Sequence, residues 1–279
     1  DYISHILPEL GEENIREMSF DLFAYKELKN TAADCEDKYD QLERIIKFPD
    51  QEALRRADWK QSSEFVGEIE GFLAMLEDSL MDFRSVEYRG MRMTEEEILK
   101  LFYYKFNETP LLKRMDLVRD YFIDEWETLR GRNISDDDKL LLQQKFDKMY
   151  VTKDLYRIYC QLLEECGLDP LSEAEYERRK IPYEDVFPML YLKYRLEGGN
   201  HSHKNIKHLV IDEMQDYSYL QYTILASFFS CKMTILGDRA QTMDVRQQDV
   251  LKFLPWILGR DLHKIEMNKS YRNTVEIAE

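Results

Sequence analysis

Glycine and proline are scarce in this chain, 10 and 7 of 279 residues, which excludes a collagen-like repeat and leaves no low-complexity, loop-rich stretch. Cysteine is scarcer. Cys35, Cys160, Cys166 and Cys231 form no CxxC pair and have no histidine at zinc-finger spacing, so neither a disulfide framework nor a structural zinc site is expected. Reduced thiols in a cytoplasmic protein are the reading. No run approaches the roughly 18 uninterrupted apolar residues of a membrane span, so no membrane partner is expected. The chain also lacks a basic start followed by an apolar core and a cleavage site, and its first residue is Asp1. A piece of a longer protein is therefore expected.

What is present is core material. The chain is 44% hydrophobic and 13% aromatic, enough for one large domain or two small ones and too much for a disordered segment. The formal net charge is -16, and residues 201–279 carry ten basic and ten acidic side chains, so the whole excess of acid lies in residues 1–200. A broad nucleic-acid face needs clustered Lys and Arg to displace counterions, and this long segment offers the opposite field. A basic protein surface suits it better as a partner.

From about Lys60 to Arg179 the pattern is helical. Phe65, Ile69, Phe72, Leu73, Leu76, Leu80 and Phe83 fall on one stripe of a 3.6-residue period. Val86, Tyr88, Met91 and Met93 alternate around Arg89-Gly90 and predict a small hairpin, after which Thr94 and Glu97 offer a capping box. Thr109-Pro110 is a helix start, with Leu111, Met115, Val118, Phe122, Trp126 and Leu129 on the buried side. Ser135 is placed to cap the next helix, and a further one from about Lys153 is closed by Gly167. These aromatic and Met stripes, and Tyr103-Tyr104, are read as packing.

After Gly198-Gly199 short β-type runs alternate with helices. His208 to Ile211 is a strand, a helix runs to Phe229, Met233 to Leu236 is a strand, a helix lies near Val250 to Leu258, and Lys264 to Met267 is a last strand. That is the rhythm of a parallel α/β sheet. The stretch from Asp1 to about Phe23, with DYISHILPEL and the alternating MSFDLFA, is assigned to the same sheet. The expected fold class is thus α/β, with residues 1–25 and 181–279 forming one domain and residues 26–180 a mostly helical insertion.

The strongest chemical pattern is HLVIDEMQDYS, in which an apolar strand delivers two adjacent carboxylates, Asp212 and Glu213, at its C-terminal end. Ligands of open α/β sheets bind at that edge. One carboxylate can reach a Mg²⁺ ion while the next approaches water attacking a phosphate. Acidic runs such as Glu95 to Glu97 and Asp136 to Asp138 lack that context and read as solvated helix. A second strand, KMTILGD, ends in Gly237-Asp238, followed by Gln241, whose amide can sense a phosphate from a neighbouring strand tip. A third cluster, in KIEMNKSYRN, sets Tyr271 beside Arg272: a ring able to stack on a base and a guanidinium able to pair with phosphate oxygens. His201 and His203, near His208, have no Cys or acid at ligand spacing and read as a solvated loop.

DEMQD, LGDRAQ and SYRN resemble motifs II, III and IV of the UvrD/Rep-like superfamily 1 helicases, in the same order. DYISHILPELGEENI, IPYEDVFPMLYLKYRLEG and the DYS after DEMQ look most like the HelD-type branch, helicase-like ATPases associated with bacterial RNA polymerase. The resemblance covers residues 1–25 and 181–279 well and the helical middle loosely. It implies a partial RecA-like P-loop NTPase domain, ATP and Mg²⁺ as cofactors, and nucleic acid, DNA in the first place, as partner. Asp212 would hold Mg²⁺, Glu213 would polarise the attacking water, and Gln215 would link the γ-phosphate to the motor. Gln241 would read the same phosphate, Tyr271 would stack on adenine, and Arg272 would act as a cis arginine finger. Asp216 and Asp238 would be structural organisers.

No G-x-x-x-x-G-K-[ST] occurs in the sequence, so the loop that cradles phosphates is missing. The resemblance places it before Asp1 and a second motor domain after Glu279. The fragment alone is then expected neither to bind ATP tightly nor to hydrolyse it, and to shield an exposed sheet edge by pairing or covering it. Two functions follow. One is an ATP-dependent DNA helicase or translocase; the other is a transcription-associated ATPase that remodels RNA polymerase through the acidic helical insertion.

Overall fold

A computed structural model of the chain describes residues 17–199, 205–237, 250–259 and 262–266. It begins with helix α1, Phe20–Leu28, where the Ser19 hydroxyl accepts the Leu22 amide at 3.2 Å. This corrects the strand expected for MSFDLFA. The alternating residues also satisfy helical spacing, and Phe23, Ala24 and Leu28 form the buried face.

Strand β1, Asp34–Cys35, pairs in parallel with β4, Lys180–Ile181, so the helical stretch leaves and returns at adjacent points. Between them, α2 (Lys38–Lys47), α3 (Gln51–Lys60) and α4 (Ser63–Ser79) start at Asp37, Asp50 and Ser62, each accepting a first-turn amide. Helix α4 buries the expected Phe65, Ile69, Phe72 and Leu76. Phe83 lies past its end and meets Phe102 edge-on, with centroids 5.4 Å apart.

The hairpin joins β2 (Val86–Tyr88) to β3 (Met91–Met93). Its two turn residues, Arg89 and Gly90, both have positive φ, 44° and 80°, the backbone that matches the twist of a two-residue hairpin. The capping box of Thr94 and Glu97 opens α5 (Glu95–Lys100), which runs into a π-turn at Leu101–Lys105. Helix α6, Leu111–Arg130, follows Pro110 and buries Leu111, Met115, Val118, Phe122 and Trp126. Leu129, expected on that side, is exposed. Helix α7 (Asp136–Asp147) is capped by Ser135, and α8 (Leu155–Glu165) closes before Gly167 at φ 70°.

Helix α9, Tyr183–Glu197, is the axis of the molecule: it touches α1, α3, α6 and α8 and buries nine of its residues. The βα unit follows. Strand β5 (His208–Ile211), helix α10 (Tyr219–Phe228) and strand β6 (Lys232–Ile235) form a parallel pair with its crossover helix, and α11 (Val250–Leu258) packs on α10. In β5, Ile211 is buried while Val210 is 60% exposed. Residues 264–266, expected as strand, are irregular; Met267 lies outside the described residues.

The chain is therefore mixed α/β, and its described sheets are small. One continuous apolar core runs from Phe23 through α4, α6, α8 and α9 to Leu254, so the helical stretch and the βα unit share packing. Each fully buried Phe or Leu contributes on the order of 2 kcal/mol. No helix among the described residues is long and apolar enough to cross a membrane. All four cysteines are free and half-buried.

Candidate functional site

The acidic pair stands at the C-terminal end of β5. The strand order is His208↔Lys232 through Ile211↔Ile235, and the ladder extends one step further, where the Leu236 amide donates to the Ile211 carbonyl at 2.8 Å. The next rung is decisive for the site. The Met214 amide donates to the Leu236 carbonyl at 2.8 Å, so the chain beyond the acids folds back onto the tip of β6. The expectation that KMTILGD supplies a neighbouring strand tip is met at Leu236-Gly237.

That fold-back forces Glu213 into the left-handed region, φ 51° and ψ 51°. A non-glycine residue held there costs on the order of 1 kcal/mol, and the surrounding bonds maintain it. The Glu213 amide donates to Asp212 Oδ1 at 2.9 Å, the Asp216 amide to the Glu213 carbonyl at 2.9 Å, and Gln215 Nε2 to Glu213 Oε2 at 2.7 Å. Gln215 is buried, whereas both carboxylates are exposed. The buried amide thus fixes the Glu213 carboxylate from below and leaves it facing solvent at the sheet edge.

Gly237 makes the approach possible. A Cβ there would collide with Met214 Cγ and stand 2.7 Å from Gln215 Oε1 and 2.8 Å from the Met214 amide nitrogen. Only a residue without a side chain lets the tip of β6 lie on the DEMQ turn. The turn is also held from the other side: the Tyr222 hydroxyl, on α10, donates to the Met214 carbonyl at 3.0 Å. Ser218 begins α10 with a capping box, its amide donating to Gln221 Oε1 at 2.8 Å. The Tyr217 hydroxyl is pushed above its usual pKa by burial and then by the carboxylates of Asp21, Asp216 and Asp212, so it stays neutral beside them.

The donor set fits a hard cation with one protein carboxylate. Asp212 uses one oxygen for the Glu213 amide, and Mg²⁺ commonly takes one or two carboxylates and draws its remaining ligands from phosphates and water. Among the described residues no group of three or more His, Cys, Asp or Glu forms a cage for a metal. Nor do the thiols suggest nucleophilic chemistry. Burial and the neighbouring Asp34 push Cys35 up to about 11, and burial raises Cys160 and Cys166.

Asp212, Glu213 and Gln215 therefore lie together at one strand end. Asp238, Gln241, Tyr271 and Arg272 lie outside the described residues, as do His201 and His203. Sequence reasoning missed Gly237 as a contact residue and Tyr222 as a support, because both act through contacts between separate elements. The Ser218/Gln221 spacing was a readable sign of the helix start. No family model matches the chain, and no curated protein matches it significantly.

Proposed function

We propose that the chain carries part of the first RecA-like motor domain of a superfamily 1 ATP-dependent DNA helicase or translocase, interrupted by a helical insertion. One observation carries the reading: an acidic pair at the C-terminal end of a parallel strand, with the second acid held in a left-handed conformation against the neighbouring strand tip. Two carboxylates on a solvated helix have no such constraint. Strain of this kind, maintained by surrounding bonds, is characteristic of sites that must present a group in one direction.

In this reading Asp212 offers a carboxylate oxygen to Mg²⁺, which when bound with ATP neutralises the phosphate oxygens. Glu213 orients and polarises the attacking water, and Gln215 keeps its carboxylate from rotating away. Gln241, Tyr271 and Arg272 retain their proposed roles at the γ-phosphate and the base. Replacing Glu213 by Gln in the full-length protein should lower ATP turnover by about 100-fold or more while leaving nucleotide affinity largely intact. Turnover equal to that of the unmodified protein would remove Glu213 from this role.

The charge distribution favours a second reading, in which the same ATPase acts on RNA polymerase. All of the excess negative charge lies in residues 1–200, a field that repels nucleic acid and attracts a basic protein surface. Strand separation by the full-length protein would support the helicase; ATP-stimulated release of RNA polymerase from nucleic acid, without strand separation, would support the remodelling ATPase.

A further inference from the structure

Gln61 stands at the C-terminal end of α3, where the helical body meets the βα unit. Its main-chain carbonyl and its Oε1 face α10 across that junction, and its Nε2 faces α9. Its main-chain carbonyl accepts the Leu220 amide at 3.2 Å, and its Oε1 accepts the Ser218 hydroxyl at 3.2 Å. Its Nε2 donates to the Glu184 carbonyl at 3.2 Å. The last bond has a cause in the sequence. Helix α9 contains Pro188, which has no amide to give the carbonyl four residues earlier, and that carbonyl is Glu184. Gln61 takes the acceptor that Pro188 leaves open.

The other two bonds hold the start of α10: the carbonyl satisfies the Leu220 amide, one of the first-turn amides with no partner inside the helix, and Oε1 fixes the Ser218 hydroxyl that caps the Gln221 amide. Helix α10 in turn holds the acidic turn through the bond from Tyr222 to the Met214 carbonyl. One residue before Gln61, Lys60 is anchored in the interior. Its ammonium lies 2.5 Å from Asp185 Oδ1, and the Tyr159 hydroxyl donates to the same oxygen at 2.6 Å. Lys60 and Gln61 thus bind α3, α8, α9 and α10 at one point.

We infer that Gln61 is a positioning residue for the Asp212–Glu213 pair, coupling the helical body to the acidic turn through Ser218, Leu220 and Tyr222. A shift of α3 against α9, such as a partner bound to the helical body would produce, is then delivered to Glu213. For its effect on turnover this inference rests on the proposed ATPase reading. Its structural content does not.

The test uses the full-length protein with Gln61→Leu, Tyr222→Phe and the double variant. Arg179→Met is the control: Arg179 bonds Asp154 and the Thr31 and Ala174 carbonyls, far from this junction in the bonding pattern, so its loss destabilises without touching α10. Two readouts are taken well below the melting temperature. In steady-state ATP hydrolysis, Gln61→Leu should lower kcat by about five- to ten-fold with KM within about two-fold, the size expected for one lost hydrogen bond. The double variant should fall little below the worse single variant, because both act on one chain of contacts. In hydrogen exchange, the Met214 and Asp216 amides should exchange about ten-fold faster in Gln61→Leu, again the value of one bond. Arg179→Met should alter neither.

Unchanged exchange at Met214 and Asp216 in Gln61→Leu overturns the inference, whatever the turnover. Full turnover in Gln61→Leu alongside loss of turnover in Glu213→Gln overturns it while leaving the ATPase reading standing. Faster exchange in a protein that never hydrolyses ATP supports the coupling and defeats the ATPase reading instead.

Discussion

Adding one methyl group at Gly237 should be resisted more strongly than at any other described glycine. The new Cβ would meet Met214 Cγ, Gln215 Oε1 at 2.7 Å and the Met214 nitrogen at 2.8 Å. The two side chains can shift. The nitrogen cannot, because its hydrogen is committed to the Leu236 carbonyl. Forcing an atom into a packed contact of this kind costs about 1–3 kcal/mol. Parting the strand tip from the turn would sacrifice that hydrogen bond as well, about 1 kcal/mol more. Gly237→Ala should therefore destabilise by about 2–4 kcal/mol, lowering the melting temperature by roughly 4–16 °C for a domain of this size. Gly67 and Gly71 provide the comparison. Both lie inside α4 with no atom within 4 Å of a built Cβ, so the same substitution there should stabilise by up to about 1 kcal/mol each through helix propensity. Thermal and denaturant unfolding of the three variants measures the difference. A Gly237→Ala protein as stable as the parent, within about 0.5 kcal/mol, would refute the steric account of the strand-tip contact.

The Asp154–Arg179 pair makes a prediction about acid. Burial opposes ionisation of Asp154, but two bonds from the Arg179 guanidinium and the amides of Tyr156 and Arg157 outweigh it and hold the carboxyl below its usual range. Its contribution is complete above the unfolded value of about 3.9 and disappears as pH falls toward the lower folded value. Unfolding followed between pH 6 and 3 should show a shallower acid loss in Asp154→Asn, and an identical slope would exclude this carboxyl as a source. A third prediction concerns Lys60. Burial raises the Asp185 carboxyl against the Lys60 ammonium and the Tyr159 hydroxyl, so Lys60→Met strands a buried acid and should cost about 3–5 kcal/mol. Lys60→Met combined with Asp185→Asn, which removes the charge and keeps an acceptor for the Tyr159 hydroxyl, should recover most of that loss in denaturant unfolding; no recovery would mean the charge was not the cause.

The helical stretch was legible because its signs are local. The stripe of α4, the capping box before α5, the hairpin turn at Arg89-Gly90 and the glycine after α8 each depend on residues within a few positions of one another. MSFDLFA was misread for the opposite reason. Its apolar residues satisfy period two and period 3.6 alike, and the choice is made by Phe20 stacking on Phe187 and Phe23 meeting Phe228, neither visible in a seven-residue window. Residues 264–266 show β-type alternation, yet alternation without a neighbouring strand makes no ladder. At the site, the position of Asp212 and Glu213 at a strand end could be read directly. The dependence of that position on Gly237, Tyr222 and Gln61 could not, since each reaches it from another element. Pro188 was visible in the sequence, but nothing there named the residue that uses the carbonyl it frees.

The pairing of β1 with β4 sets a timetable for the ribosome. Those strands sit at opposite ends of the helical stretch, so closing them brings no reward until the intervening helices have already condensed. Helix α1 is made before the helical stretch, and α9 and α10, against which its phenylalanines pack, are made after it. Until they emerge its apolar side must wait in water, which makes the nascent chain a natural client for whatever shields sticky surfaces in the cell.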